Sequence, residues 1–123
     1  MTVNVRYIVD DVEKAIEFYT GALGFTVAMH PAPGFAALDR GELRLYMNAP
    51  GAGGAGATVA GQTPQPGGWN RIQLEVDDLA ALHSKLSSQG RTFRGEIIHG
   101  QGGDQALIED PAGNLVELFQ SKR

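Results

Sequence analysis

Near the end of the chain, Glu109-Asp110-Pro111-Ala112-Gly113-Asn114 leads into Leu115-Val116-Glu117-Leu118-Phe119. The Asp-Pro and Gly-Asn pairs predict a turn, and the apolar run after it predicts a strand. Side chains alternate along a strand, so Leu115, Glu117 and Phe119 share one face. A carboxylate among Leu and Phe needs a partner, because an unpaired buried charge is very costly. A metal, a ligand and a cation of the protein are the three candidates, and each implies a different function. A second segment bearing polar chemistry, Arg71-Ile72-Gln73-Leu74-Glu75-Val76, alternates strictly. Its polar face is Arg71, Gln73 and Glu75. Near the N-terminus, Asn4, Arg6 and Ile8 alternate in the same way with Val5, Tyr7 and Val9.

The elements that must position these residues come in two similar copies. Asn4–Phe25 and Arg71–Phe93 each read as a strand, then Val-Asp-Asp, then an amphipathic helix, a glycine and a new strand. Asp11 and Asp78 stand at the same interval as Val9 and Val76, which marks a duplicated supersecondary unit. In the first copy, Val3 to Val9 reads as a strand, and Asp10 or Asp11 suits an N-cap. Val12, Ala15, Ile16, Tyr19 and Leu23 follow helical spacing, and Gly24 is a stop. Phe25 to His30, Phe35 to Asp39 and Leu43 to Asn48 follow as strands. The second copy predicts a strand over Arg71 to Val76, a helix over Leu79 to Ser88, a stop at Gly90, and strands near Thr92 to Ile98, Gln105 to Glu109 and Leu115 to Phe119. Each unit is βαβββ. One domain is expected over residues 1–123, with unit one at 1–48 and unit two at 69–123. The Gly-, Ala- and Pro-rich stretch 49–68 between them reads as a flexible connection. Its Gly-Ala-Gly-Gly-Ala-Gly run is not read as a phosphate loop, since no strand feeds it and no Lys-Ser/Thr closes it.

Composition narrows the function classes. A net charge of −4 and a pI near 5.2 point away from nucleic acid. No apolar run approaches membrane-spanning length. The chain has no cysteine, which removes disulfides, thiolate metal sites and Cys nucleophiles. With no secretory signal visible, a cytoplasmic location is expected. Of the three histidines, His83 lies beside the Leu79, Leu82, Leu86 stripe and reads as a partly buried surface residue. His30 and His99 each end the second strand of their copy; they could face each other across a cavity mouth or each sit in a turn, and the turn reading is preferred, since no carboxylate is placed by spacing to orient either as a base.

The doubled βαβββ pattern, the Val-Asp-Asp-Val-Glu-Lys-Ala-Ile-Glu-Phe-Tyr-Thr-Gly-Ala-Leu-Gly-Phe segment and the Asp110-Pro111-Ala112-Gly113-Asn114-Leu115-Val116-Glu117-Leu118 segment together resemble the vicinal oxygen chelate superfamily. That superfamily includes glyoxalase I, extradiol dioxygenases, fosfomycin-modifying enzymes and bleomycin-binding resistance proteins. The resemblance covers nearly the whole chain. It implies an α+β fold in which two units form curled mixed sheets around a cavity, with helices on the outer face, and it implies a homodimer. It also implies four metal-ligand positions. The family's interval counted back from the capping aspartates reaches Asn4 and Arg71. Aligning Gly41 with Gly113 sets Leu45 opposite Glu117, and a shift of one residue would give Tyr46 instead. Only Glu117 is an acidic ligand, so no metal site and no cofactor are expected. The Arg that glutathione-handling glyoxalases tend to carry near the first ligand is replaced by Ile8.

From this resemblance the expected ligand-binding residues are Arg71, Glu117, Gln73 and Asn4, with Trp69 and Phe35 as stacking aromatics at a cavity mouth. Glu117 is expected to pair with Arg71, whose guanidinium supplies the positive charge a metal would otherwise supply. The leading expectation is a metal-free protein of the glyoxalase/bleomycin-resistance type that binds a small organic ligand, sequestering a drug or natural product. The alternatives are a lyase, isomerase or dioxygenase of the same superfamily with a departed metal site, and a dimerising scaffold without a ligand.

Overall fold

The computed structural model describes residues 1–122, so Arg123, the last residue of the expected second unit, lies outside the described residues. The chain forms two compact units, Met1–Gly67 and a second that begins at Gly68. In the first, β1 (Val5–Ile8), α1 (Val12–Leu23), β2 (Thr26–Ala32), β3 (Phe35–Arg40) and β4 (Leu43–Asn48) build a sheet of order β1-β4-β3-β2. In the second, β5 (Ile72–Glu75), α2 (Leu79–Ser88), β6 (Thr92–His99), β7 (Gly103–Glu109) and β8 (Leu115–Ser121) repeat it as β5-β8-β7-β6. The first strand of each unit runs parallel to the last and the other pairings are antiparallel, so both sheets are mixed and unclosed.

Local chemistry explains the helix limits. The Asp11 side chain accepts from the Lys14 N–H at 3.1 Å, and Asp78 does the same for Ala81 at 3.0 Å. The Gln120 amide oxygen takes the Leu79 N–H, a second cap for α2. Gly24 ends α1 in the left-handed region at φ 75, and the Arg40 Nε satisfies the Leu23 carbonyl. The buried stripe of α1 is Val12, Ala15, Phe18, Tyr19 and Leu23. Phe18 takes the place expected of Ile16, and it joins Tyr7 and Phe25 in edge-to-face contacts around Tyr19. The helix-side face of the first sheet is Tyr7, Leu45, Met47, Ala36 and Leu38; that of the second is Leu74, Val116, Leu118, Ala106 and Ile108.

Residues 49–63 follow a series of hydrogen-bonded turns. Ala49 N–H donates to the Gly34 carbonyl, Gly56 N–H to that of Ala52, and Val59 bridges Gln62. A Cβ on Gly34 would stand 2.5 Å from the Ala52 Cβ, and one on Gly56 would stand 2.3 Å from the Ala49 carbonyl oxygen. Composition signals missing propensity but not such close approaches, which let this stretch fold as a series of turns.

Gly103 starts β7 where a Cβ would meet the Gln120 carbonyl oxygen at 2.4 Å and the Phe119 ring at 2.6 Å. Backbone in a paired strand has little room to retreat. Gly103→Ala is expected to destabilise the protein by about 1–3 kcal/mol, the usual range for overpacking. Urea unfolding checks this, and an unchanged midpoint would show that the strand end yields.

Candidate functional site

The Asp110 to Asn114 turn sets the geometry of the second unit. The Asp110 Oδ1 accepts from the Ala112 and Asn114 N–H groups at 2.9 Å, and its Oδ2 accepts from the Asn114 side-chain amide at 3.0 Å. The Gly113 N–H donates to the Asp110 carbonyl, with Gly113 at φ 88. The turn locks β7 against β8 in the register Leu107 to Glu117. Glu117 thereby falls on the face away from α2, beside Gln73 of β5.

There the carboxylate finds its partner. Arg71 Nε and Nη2 reach Glu117 Oε1 at 3.0 and 2.9 Å, and Gln73 Nε2 donates to Oε2 at 2.7 Å. Both oxygens are engaged by donors of the protein. The Glu117 side chain is 11% exposed and that of Arg71 27%, so the pair sits between a buried and a surface ion pair. Arg71 Nη1 also lies 3.4 Å from the Trp69 carbonyl oxygen. Trp69 is 66% exposed, and the Arg94 guanidinium lies 5.1 Å from its ring centroid while also pairing with Glu109. Arg94 was not singled out by sequence; it reaches this face because β6 pairs Arg94 with Leu107, itself opposite Glu117. A hollow of about 420 Å³ in this unit, lined by Glu75, Val76, Asp77, Gln120 and Ser121, contains none of the expected ligand-binding residues.

In the first unit, Asn4 is exposed ahead of β1, and Phe35 is half-buried at the start of β3. Phe35 stacks on Tyr46 with centroids 5.9 Å apart, and the Arg6 guanidinium lies 4.9 Å from the Tyr46 centroid. Leu45 does not stand opposite Glu117 as the aligned glycines implied. Arg6 pairs with Tyr46 as Gln73 pairs with Glu117, so Tyr46 is the structural counterpart, and Leu45 is fully buried on the helix side. The reason is loop length. Arg40 and Leu43 pair across only Gly41 and Glu42, whereas Glu109 and Leu115 pair across the whole Asp110 to Asn114 turn.

With Tyr46 in place of Leu45, the four positions that the resemblance implied for metal ligands hold Asn4, Tyr46, Arg71 and Glu117. They do not suit a divalent metal: one is a guanidinium already on the carboxylate, and each carboxylate oxygen already accepts from a donor of the protein. Among the described residues, no group of three or more His, Asp or Glu side chains is gathered to hold a metal ion. Both outer histidines have carboxylates that spacing did not reveal. His30 Nε2 lies 3.4 Å from Glu13, and His99 Nδ1 lies 3.0 Å from Asp104. Burial pushes the Asp104 carboxyl up, but His99 and Lys122 outweigh it and leave its pKa lowered. His83 stacks on Phe93 at 4.1 Å.

Residues 3–118 match the sequence profile of the Glyoxalase/Bleomycin resistance protein/Dioxygenase superfamily. The chain belongs to that superfamily. Bleomycin resistance proteins of Geobacillus stearothermophilus and Staphylococcus aureus are each 27% identical to it over 127 residues, covering 91% of this chain and 90% of the relative. Among solved structures, lactoylglutathione lyase from Agrobacterium tumefaciens shares the fold with a TM-score of 0.75 at 19% identity, covering 98% of this chain and 92% of its own. The bleomycin-binding protein of Streptomyces verticillus, complexed with copper(II)-bleomycin, has a TM-score of 0.65 at 22% identity, covering 99% and 97%.

Two predictions follow from these contacts. Arg71→Ala leaves Glu117 with Gln73 alone. Its cost is expected between the roughly 1 kcal/mol of an exposed pair and the roughly 3–5 kcal/mol of breaking a buried one. A double-mutant cycle with Glu117→Gln should show coupling; additivity would mean that the pair contributes nothing. The second concerns acid. Arg44 holds the Asp39 carboxyl below the usual carboxylate range through two hydrogen bonds of 2.8 and 2.9 Å. A depressed folded pKa gives stability that is present above the unfolded value of 3.8 and is lost as pH falls through the folded value. Asp39→Asn should therefore be less stable than the parent at neutral pH, and the gap should close on acidification. Urea midpoints measured down to about pH 2 check this, and a constant gap would refute it.

Proposed function

We propose that this protein binds a small organic ligand without a catalytic metal and holds it unchanged, sequestering a drug or natural product. The observation that carries this reading is the Arg71–Glu117–Gln73 cluster: the carboxylate at a family metal position is already neutralised and hydrogen-bonded by the protein. A guanidinium replaces the metal's charge but not its Lewis acidity or open coordination positions. The 27% identity to proteins named for bleomycin resistance supports the same direction. Arg71, Gln73, Glu117 and Trp69 in the second unit, and Asn4 and Phe35 in the first, are the proposed ligand contacts. We extend the proposal to a cytoplasmic homodimer of single-domain chains, since β2 and most of β6 present exposed edges that a second copy would cover.

Native mass spectrometry of protein purified without chelators tests the reading. The expected species is a dimer that retains an organic molecule, recoverable unchanged after incubation, with no stoichiometric Ni, Zn, Fe or Mn. Stoichiometric metal lost in Glu117→Gln, or conversion of the retained molecule, would favour the lyase, isomerase or dioxygenase alternative. Added ligand at 100 times its Kd should raise stability by about 2.7 kcal/mol.

A further inference from the structure

The first unit carries a charge that the second does not. Arg6 stands on the face of its sheet away from α1 and is exposed. Its Nη1 donates to the Asn48 Oδ1, and its guanidinium lies against Tyr46. Both partners are neutral, and among the described residues no carboxylate pairs with it. Other arginines differ: Arg44, in the same unit, is held by both oxygens of Asp39, and in the second unit Arg71 is held by Glu117 and Arg94 by Glu109. Asn48 is only 3% exposed, and its side-chain amide lies 3.4 Å from the Ala52 carbonyl oxygen, so the group that holds Arg6 is itself anchored. The guanidinium is thus oriented by a buried amide and an aromatic ring, with donors of its fork left over.

The adjacent surface is aromatic. Tyr46 and Phe35 stack at an interplanar angle of 24°, both half-buried, on neighbouring strands. A cation with spare donors beside two near-parallel rings fits an anionic group attached to a flat ring: the anion meets the fork, and the ring extends the stack. We propose that Arg6, Tyr46 and Phe35 form a recognition site for aromatic carboxylates, with Asn48 as the positioning residue. This rests on the small-molecule reading above and names its ligand class. It also moves anion recognition from Arg71, whose charge is neutralised within the protein, to Arg6.

The test is isothermal titration with 2-naphthoate and with neutral 2-naphthalenemethanol, using the full chain. The carboxylate should bind at least about tenfold more tightly, as one charge-assisted contact provides. Arg6→Gln should abolish that preference by weakening the carboxylate far more than the alcohol, and Arg6→Lys should restore part of it. Phe35→Leu should weaken both probes. In the wild-type protein, the Arg6 Nε–H resonance should shift further at saturation with naphthoate than with the alcohol, a readout that does not depend on a variant folding. Equal affinity for the two probes, absence of naphthoate binding, or a preference that survives Arg6→Gln overturns the proposal. If a retained natural ligand is nonetheless found by native mass spectrometry, the small-molecule reading stands and only this assignment falls.

Discussion

The Asp110 carboxylate is the contact on which the chemistry of the second unit depends. It receives two backbone N–H groups and the Asn114 side chain, and only 4% of Asp110 is exposed. Those bonds fix how many residues the turn contains and hence the pairing of β7 with β8. Because side chains alternate, a slip of one residue would send Glu117 into the helix-side core and bring Val116 or Leu118 out. The ion pair is therefore a consequence of the turn. Its long-range partners, Arg71 and Gln73, are useful only because the strand between them and the turn presents its acid on the correct side.

The two units show how one frame accommodates two electrostatic solutions. At matching positions the second unit has Gln73 beside Glu117, and the first has Arg6 beside Tyr46. In one, a negative charge is neutralised by a guanidinium and an amide. In the other, a positive charge rests on an aromatic ring and an amide. The backbone supports both because the pairing of the first strand with the last is the same; only the side chains that project from the helix-free face have changed.

Most of the frame was legible in the sequence, because its signals are local. Asp11, Gly24 and Asp78 act within a few residues of themselves, and Leu43–Asn48 and Leu79–Ser88 have the limits expected from patterning. The Arg71–Glu117 contact became legible through the resemblance, which located both residues at one place in the fold. What escaped depended on loop length or on cross-strand neighbours. The glycine-based alignment chose Leu45 because it assumed two turns of equal size. Arg94 over Trp69, and the carboxylates beside His30 and His99, are brought together by helix placement and strand pairing, which single-sequence spacing does not encode. The turns of residues 49–63 were not legible for a related reason: composition does not report the close contacts that a glycine permits.

The close contacts within residues 49–63 limit how the chain can drift. The segment looks like filler, the sort of sequence in which substitutions accumulate freely. Yet its glycines are not equivalent: a side chain at Gly54 would enter open space, while one at Gly56 would collide with three backbone atoms of its own turn. Gly34, outside the segment, is bound by the same constraint through Ala52. Substitution tolerance in such a region should be patchy at single-residue scale, so that a descendant could lengthen or recolour most of it and still be obliged to keep a few small residues in place.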